Sequence, residues 1–275
     1  PEHQHPGAVK MGHLQFHVGA YLGSGCQAVQ LRLRGILARG PHHRPGPSTG
    51  LPGQFKTANL PCPATRSNGN MIAGLPPGIE SIRGFLAAAE AEALHRHALE
   101  ASALGPVLEI GSYCGKSTIY LGLACRESGS TLFALDHHRG SEEHQPGEFF
   151  HDPELFDADE GVMDSFRSFR SNISAADLDD VVVPLVSDSR TTARHWRTPF
   201  GMVFIDGGHS LDAAITDYRC WATHVLRGGI LAIHDLFEDA SEGGQAPYAI
   251  YRLAIASGLF AELERVDSLG FLKRL

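Results

Sequence analysis

The chain has 275 residues, 43% of them hydrophobic and 8% aromatic, and its 31 Asp and Glu outweigh 23 Lys and Arg to leave a formal charge of −8. That is apolar material for one sizeable core or one core with a small extension, and no run of about 18 uninterrupted apolar residues offers a membrane span. Five scattered cysteines (Cys26, Cys62, Cys114, Cys125, Cys220) hold no CxxC pair. They argue against a disulfide framework or a zinc knuckle and for a reducing, cytoplasmic setting. The acidic total argues against a nucleic-acid partner.

The charge is unevenly spread. Residues 1–70 hold one acid and seven bases, with 8 Pro and 11 Gly, whereas residues 71–275 hold 30 acids and 16 bases. Stretches such as Arg39-Gly-Pro-His-His-Arg-Pro-Gly-Pro-Ser-Thr-Gly50 read as loop or disorder. The expectation is a disordered basic extension over 1–70, foreign to the functional protein if the start is misassigned, and a functional domain over 71–275 that opens at Met71.

From there the pattern is regular. An Ala/Glu/Leu-rich stretch predicts a helix over 79–104. Apolar runs at 107–110, 131–135, 181–186, 202–205 and 230–233 alternate with helical stretches at 116–126, 162–176, 190–196 and 211–225. Strands apolar throughout, rather than alternating, are buried on both faces as in a parallel sheet. Five such alternations predict a doubly wound α/β domain. A helix over 247–257 and an antiparallel hairpin formed by 260–266 and 271–275 close it.

The first strand runs into Glu109-Ile-Gly-Ser-Tyr-Cys-Gly-Lys-Ser-Thr118, where Gly111 permits a tight turn and Gly115 lets the helix begin close to a ligand. The spacing is GxxxG, neither the dinucleotide GxGxxG nor the Walker GxxxxGK[ST], although Gly115-Lys116-Ser117 mimics the end of the latter. Taken alone, these glycines serve a strand–helix turn equally well. Carboxylates end the other strands: Asp136, Asp188, Asp206 and Asp235, with His234 beside the last. With Glu109 they line one sheet edge with negative charge, which repels a bare pyrophosphate and attracts a cation.

Val107-Leu-Glu-Ile-Gly-Ser-Tyr-Cys-Gly115, Phe133-Ala-Leu-Asp136, Phe204-Ile-Asp-Gly-Gly-His209 and Leu226-Arg-Gly-Gly-Ile-Leu-Ala-Ile-His-Asp235 together resemble class I S-adenosylmethionine-dependent methyltransferases over about residues 79–275. The resemblance implies a mostly parallel, seven-stranded, Rossmann-like sheet with helices on both faces. It also implies a cofactor site built from Glu109, Gly111, Ser112, Gly115, Asp136, Asp188 and Asp206. A positive sulfonium suits the acidic rim, Asp136 can accept from both ribose hydroxyls, and Asp188 can accept from the adenine amino group. Asp188 has a second reading as the N-cap of the helix that follows.

Within that superfamily, Phe204-Ile-Asp-Gly-Gly-His209 with His234-Asp235 is similar to a metal-assisted, small-molecule O-methyltransferase branch. Carried over by position, Asp206, His234 and Asp235 are ligands of Mg²⁺ or Mn²⁺, with Asp206 and His209 catalytic and His209 the base. The chain departs from the pattern at His234, where a carboxylate is expected. Imidazole suits Mn²⁺, Fe²⁺ or Zn²⁺ better than Mg²⁺; alternatively no metal binds, and His234 is a second acid/base. The histidines and phenylalanines of the long acidic segment 137–161 suggest a lid or specificity element, against the plainer reading of a solvated loop.

The expected function is methyl transfer to a hydroxyl oxygen of a small molecule, without nucleic acid or membrane. Relatives of this type are often homo-oligomers. Rival readings are an NAD-type oxidoreductase, against which the GxxxG spacing stands, and a non-catalytic or hydroxylase-type relative. No NPPY-type amino-methylation motif follows Asp206.

Overall fold

The computed structural model describes residues 72–275 except 142, 143, 146, 149 and 150; the extension expected over 1–70 and the boundary at Met71 lie outside the described residues. Seven strands pair into one sheet: β1 (Val107–Ile110), β2 (Leu132–Leu135), β5 (Val182–Leu185), β6 (Phe200–Ile205), β7 (Val225–Ile233), β8 (Phe260–Val266) and β9 (Leu269–Arg274). Their spatial order is β5-β2-β1-β6-β7-β9-β8. The first five are mutually parallel, while β9 runs antiparallel to both β7 and β8. The expected doubly wound sheet and its C-terminal hairpin are therefore present.

Every residue of β1 and β6 is buried, and the pleat explains why. Val107, Met202 and Phe204 join one apolar cluster with helices α1 (Ala88–Ser102), α2 (Lys116–Ser128) and α3 (Phe166–Ala175). Leu108, Ile110, Val203 and Ile205 join the other, with α5 (Leu211–Trp221) and α6 (Ala246–Ala256). Successive side chains point to opposite faces, so a strand covered by helices on both must be apolar throughout.

Several element bounds differ from expectation for local reasons. The helix expected over 79–104 begins only at Ala88; Ile79–Ser81 forms a separate 3-10 turn. The start is set where the Glu90 carboxylate accepts from Ala87 N at 3.0 Å, one half of a capping box. The helix expected over 162–176 loses its first turn because β4 (Val162–Met163) pairs with β3 (Phe156–Asp157). The helix expected over 190–196 is α4 (Ser189–Ala193), and the one expected over 211–225 stops at Trp221, so that Val225 opens β7.

The chain runs outward from β1 through β2 to β5, then returns across the sheet to place β6 on the other side of β1. Ligands of doubly wound sheets bind beyond the carboxyl ends of strands at such a reversal. Here that point lies between Ile110 and Ile205, followed in the chain by Gly111 and Asp206.

Candidate active site

The loops after β1 and β6 nearly touch. Gly111 has φ +88°, and a methyl group on it would overlap the Asp206 carbonyl oxygen and lie 2.9 Å from Gly207 N. Only glycine allows this approach. Beneath the loop, Glu109 is fully enclosed and accepts from Ser117 Oγ at 2.6 Å and Thr118 Oγ1 at 2.5 Å. Burial lifts its carboxyl to about 7, against the pull of those hydroxyls. The carboxylate of Asp136, after β2, accepts from Tyr113 N at 2.8 Å and His138 N at 2.7 Å. Each oxygen keeps a further lone pair for a ligand hydroxyl.

These loops form the floor of an open cleft of about 1650 Å³, whose lining includes Phe85, Gly111, Asp136, Asp188, Asp206 and His209. Buried His138 has Nδ1 2.9 Å from Ser165 Oγ, and Leu155 and Met163 pack with Cys114 and Tyr113. Arg83, from the segment before α1, pairs with Asp152 at 2.6 Å and with Glu154.

At the far side, the ends of β6 and β7 gather titratable groups. His209 Nε2 lies 2.8 Å from Asp235 Oδ2. Buried His234 has Nδ1 3.0 Å from Asp206 Oδ1 and 3.5 Å from Asp235 Oδ2, and Nε2 3.0 Å from Glu90 Oε2. Burial alone would lower the pKa of His234, but the charge of Asp206 and the bonds to Asp206, Asp235 and Glu90 outweigh it and raise the pKa strongly. Burial likewise works against ionised Glu90, yet His234, Ala87 N and Ser268 hold it down to about 2. Asp235 is held ionised by its two histidines in the same way. Asp235 has φ +57°, a strained setting that aims its carboxylate between the two rings.

Gly111, Ser112, Asp136, Asp188 and Asp206 line the cleft. Glu109 and Gly115 do not: they shape the loop from below, and the expectation that Glu109 faces the cofactor is corrected by its complete enclosure. Asp188 caps α4, accepting from Thr191 N at 2.9 Å and Thr191 Oγ1 at 2.8 Å, while its exposed carboxylate still borders the cleft. Lys116 Nζ pairs with Glu80 at 3.0 Å. One ligand atom from each of Asp206, His234 and Asp235 lies within 4.8 Å of the others, a spacing that a metal ion could bridge.

Two buried acids at the cleft escaped the sequence reading. Glu90 sits 144 residues before its partner His234 and is one of several acids in its helix. Asp217, whose carboxyl burial raises to about 6, accepts from Ser189 Oγ at 2.5 Å, and Ser189 Oγ accepts from Trp221 Nε1 at 3.0 Å. This chain ties α4 to α5 under the cleft, and nothing in the sequence distinguishes Asp217 from the other acid of that helix, Asp212.

A glycine-forced approach at the switch point, an acid after β2 with free acceptor capacity and a rim of carboxylates form a donor set that fits a cofactor with two vicinal hydroxyls and a positive sulfur, as the resemblance to S-adenosylmethionine-dependent methyltransferases implies. Residues 108–236 match the family model described as a methyltransferase domain, which identifies that stretch as a methyltransferase domain. Among solved structures the chain is similar to the O-methyltransferase NovP (15% identity, TM-score 0.53, covering 68% of this chain and 79% of that one). It is also similar to the O-methyltransferase from Bacillus cereus in complex with SAH (18% identity, TM-score 0.50, 71% and 86% covered). A third is the SAH-bound Podospora anserina methyltransferase PaMTH1 (12% identity, TM-score 0.50, 73% and 89% covered). At these identities the likeness is one of fold. No helix among the described residues is long and apolar enough to cross a membrane.

Proposed function

We propose that the protein methylates a hydroxyl oxygen of a small-molecule acceptor, with His209 as the base and a divalent cation on Asp206, His234 and Asp235. The observation that carries the reading is the His209–Asp235 pair at 2.8 Å on the wall of the cofactor cleft. A histidine backed by an ionised carboxylate accepts a proton and is stabilised once charged, an effect typically worth 10²–10⁴-fold in rate. S-adenosylmethionine supplies an activated methyl group, and a bound cation supplies Lewis acidity that eases loss of the hydroxyl proton. The chain's own work is positioning. Asp136 holds the ribose edge, Gly111 and Ser112 admit the methionine end, and Asp188 borders the adenine end. Asp206, His234 and Asp235 are the donors for the cation, and His209 takes the acceptor proton as the oxygen attacks in line. The names of two of the fold neighbours, both O-methyltransferases, agree with transfer to oxygen.

Transfer of labelled methyl from S-adenosylmethionine to a panel of phenols, sugars and carboxylates tests the reading. With an acceptor in hand, His209→Ala should lose on the order of 10²-fold or more in kcat with KM for the cofactor little changed. Wild-type turnover by that variant would refute the base assignment. Full activity in excess EDTA, in protein purified without metal, would remove the cation and leave the His209–Asp235 pair to act alone.

A further inference from the structure

Glu90 takes no part in the proton transfer, yet its side chain ends in the site. It projects from the first turn of α1, and both of its oxygens are pinned by main chain: Oε2 accepts from Ala87 N at 3.0 Å, and Oε1 from Ser268 N at 2.9 Å. Ser268 Oγ adds a third bond at 2.8 Å. What is left of Oε2 meets His234 Nε2 at 3.0 Å, with the two side chains 3% and 2% exposed. A ring nitrogen facing a carboxylate where water is excluded must carry the proton of that bond. The Nε2–H of His234 is therefore committed to a group that cannot turn away. Nδ1 faces the acidic pair, 3.0 Å from Asp206 Oδ1 and 3.5 Å from Asp235 Oδ2; by the same rule it carries a proton while no cation is bound, and a cation taken up there would displace that proton.

We infer that Glu90 is the positioning residue of the cation site: it anchors His234 through Nε2–H, so that Nδ1, on giving up its proton to an entering cation, serves as a nitrogen donor beside Asp206 and Asp235 and the site selects Mn²⁺, Fe²⁺ or Zn²⁺ over Mg²⁺. The inference rests on the metal-assisted reading above. Its physical basis is twofold. An imidazole ligand needs its second nitrogen anchored, and removing such an anchor typically costs 10–100-fold in metal affinity. Magnesium asks for oxygen donors in near-ideal octahedral geometry, whereas an imidazole in the set favours the later ions. A glutamate that merely capped α1 would influence stability and leave ion affinity untouched.

The test titrates the metal-free full chain with Mn²⁺ and separately with Mg²⁺ by calorimetry, comparing wild type with Glu90→Gln and Glu90→Ala. Unfolding midpoints of each variant are measured alongside. Wild type should bind Mn²⁺ at least tenfold more tightly than Mg²⁺. Glu90→Gln, which keeps the shape and an acceptor but loses the charge, should weaken Mn²⁺ about tenfold, and Glu90→Ala nearer 100-fold. Pulsed EPR of Mn²⁺ on the wild-type chain should show hyperfine coupling to a histidine nitrogen, a readout that needs no variant to fold. Wild-type protein that binds neither ion would sink the metal reading and this inference together. Mn²⁺ binding undiminished in both variants, Mg²⁺ bound as tightly as Mn²⁺, or Mn²⁺ without nitrogen coupling would overturn the inference alone.

Discussion

Replacing Gly111 with alanine probes the contact on which the cleft is built. Two costs arise. The backbone there has φ +88°, a left-handed setting that costs an L-residue about 1–2 kcal/mol. The added methyl would also lie 2.6 Å from the Asp206 carbonyl carbon and 2.9 Å from Gly207 N. Main chain cannot rotate aside as a side chain can, so the loops after β1 and β6 must separate, and such overpacking costs about 1–3 kcal/mol. The sum is about 2–5 kcal/mol, or a fall of about 4–20 °C in Tm at roughly 2–4 °C per kcal/mol for a domain of this size. Gly129 is the control: it has φ +69° with nothing within 4 Å, so Gly129→Ala should show only the first cost. Urea unfolding followed by tryptophan fluorescence measures both variants. Because the displaced Asp206 lines the cleft proposed for the cofactor, Gly111→Ala should also weaken S-adenosylhomocysteine on the order of tenfold, about 1.4 kcal/mol, by calorimetry. If Gly111→Ala proves no less stable than Gly129→Ala, the close approach of the two loops is not the constraint described.

Glu109 ionises near 4.5 when unfolded and, through burial, near about 7 when folded. Below pH 4.5 both states hold the proton, and between 4.5 and 7 the unfolded chain loses it first. Stability should therefore fall with rising pH by about 3 kcal/mol across that window. The stability difference between wild type and Glu109→Gln should shift by that amount from pH 4.5 to 7.5; a pH-independent difference would contradict the assignment. Asp235→Asn, which removes the charge behind His209, should lower kcat on the order of 10²-fold while leaving the fold intact by circular dichroism, and an unaltered kcat would count against the pair. The Arg83 pair with Glu154 is solvent-exposed and the pair with Asp152 half-buried, so Arg83→Ala should cost no more than about 1 kcal/mol of stability. It should nevertheless speed cofactor release several-fold in stopped-flow experiments if these pairs hold Arg83 in the cleft wall; unchanged release would show that they do not. Asp217→Ala strands the Ser189 hydroxyl and should destabilise the chain by about 1–3 kcal/mol, measured by the same urea unfolding; a loss under a few tenths would mean that the link from α4 to α5 is idle.

Much of the fold was legible in the sequence because its signals are local. Short runs apolar at every position, as in Met202–Ile205, read as strands covered on both faces when they alternate with helical stretches, and an acid immediately after such a run lies at a strand end. Those two facts fixed the sheet type, the edge that binds and its charge. Tertiary structure alone decided what those acids do. Glu109 and Asp136 end adjacent strands with equal claim to the cofactor, yet the start of α2 closes over one and leaves the other open. The anchoring of His234 by Glu90, the tie from Asp217 to Ser189 and the pressure of Gly111 on Asp206 join residues dozens to more than a hundred positions apart. No periodicity or spacing carries such pairings: which side chains meet depends on strand order and on how helices seat against the sheet, and only the closed chain settles those.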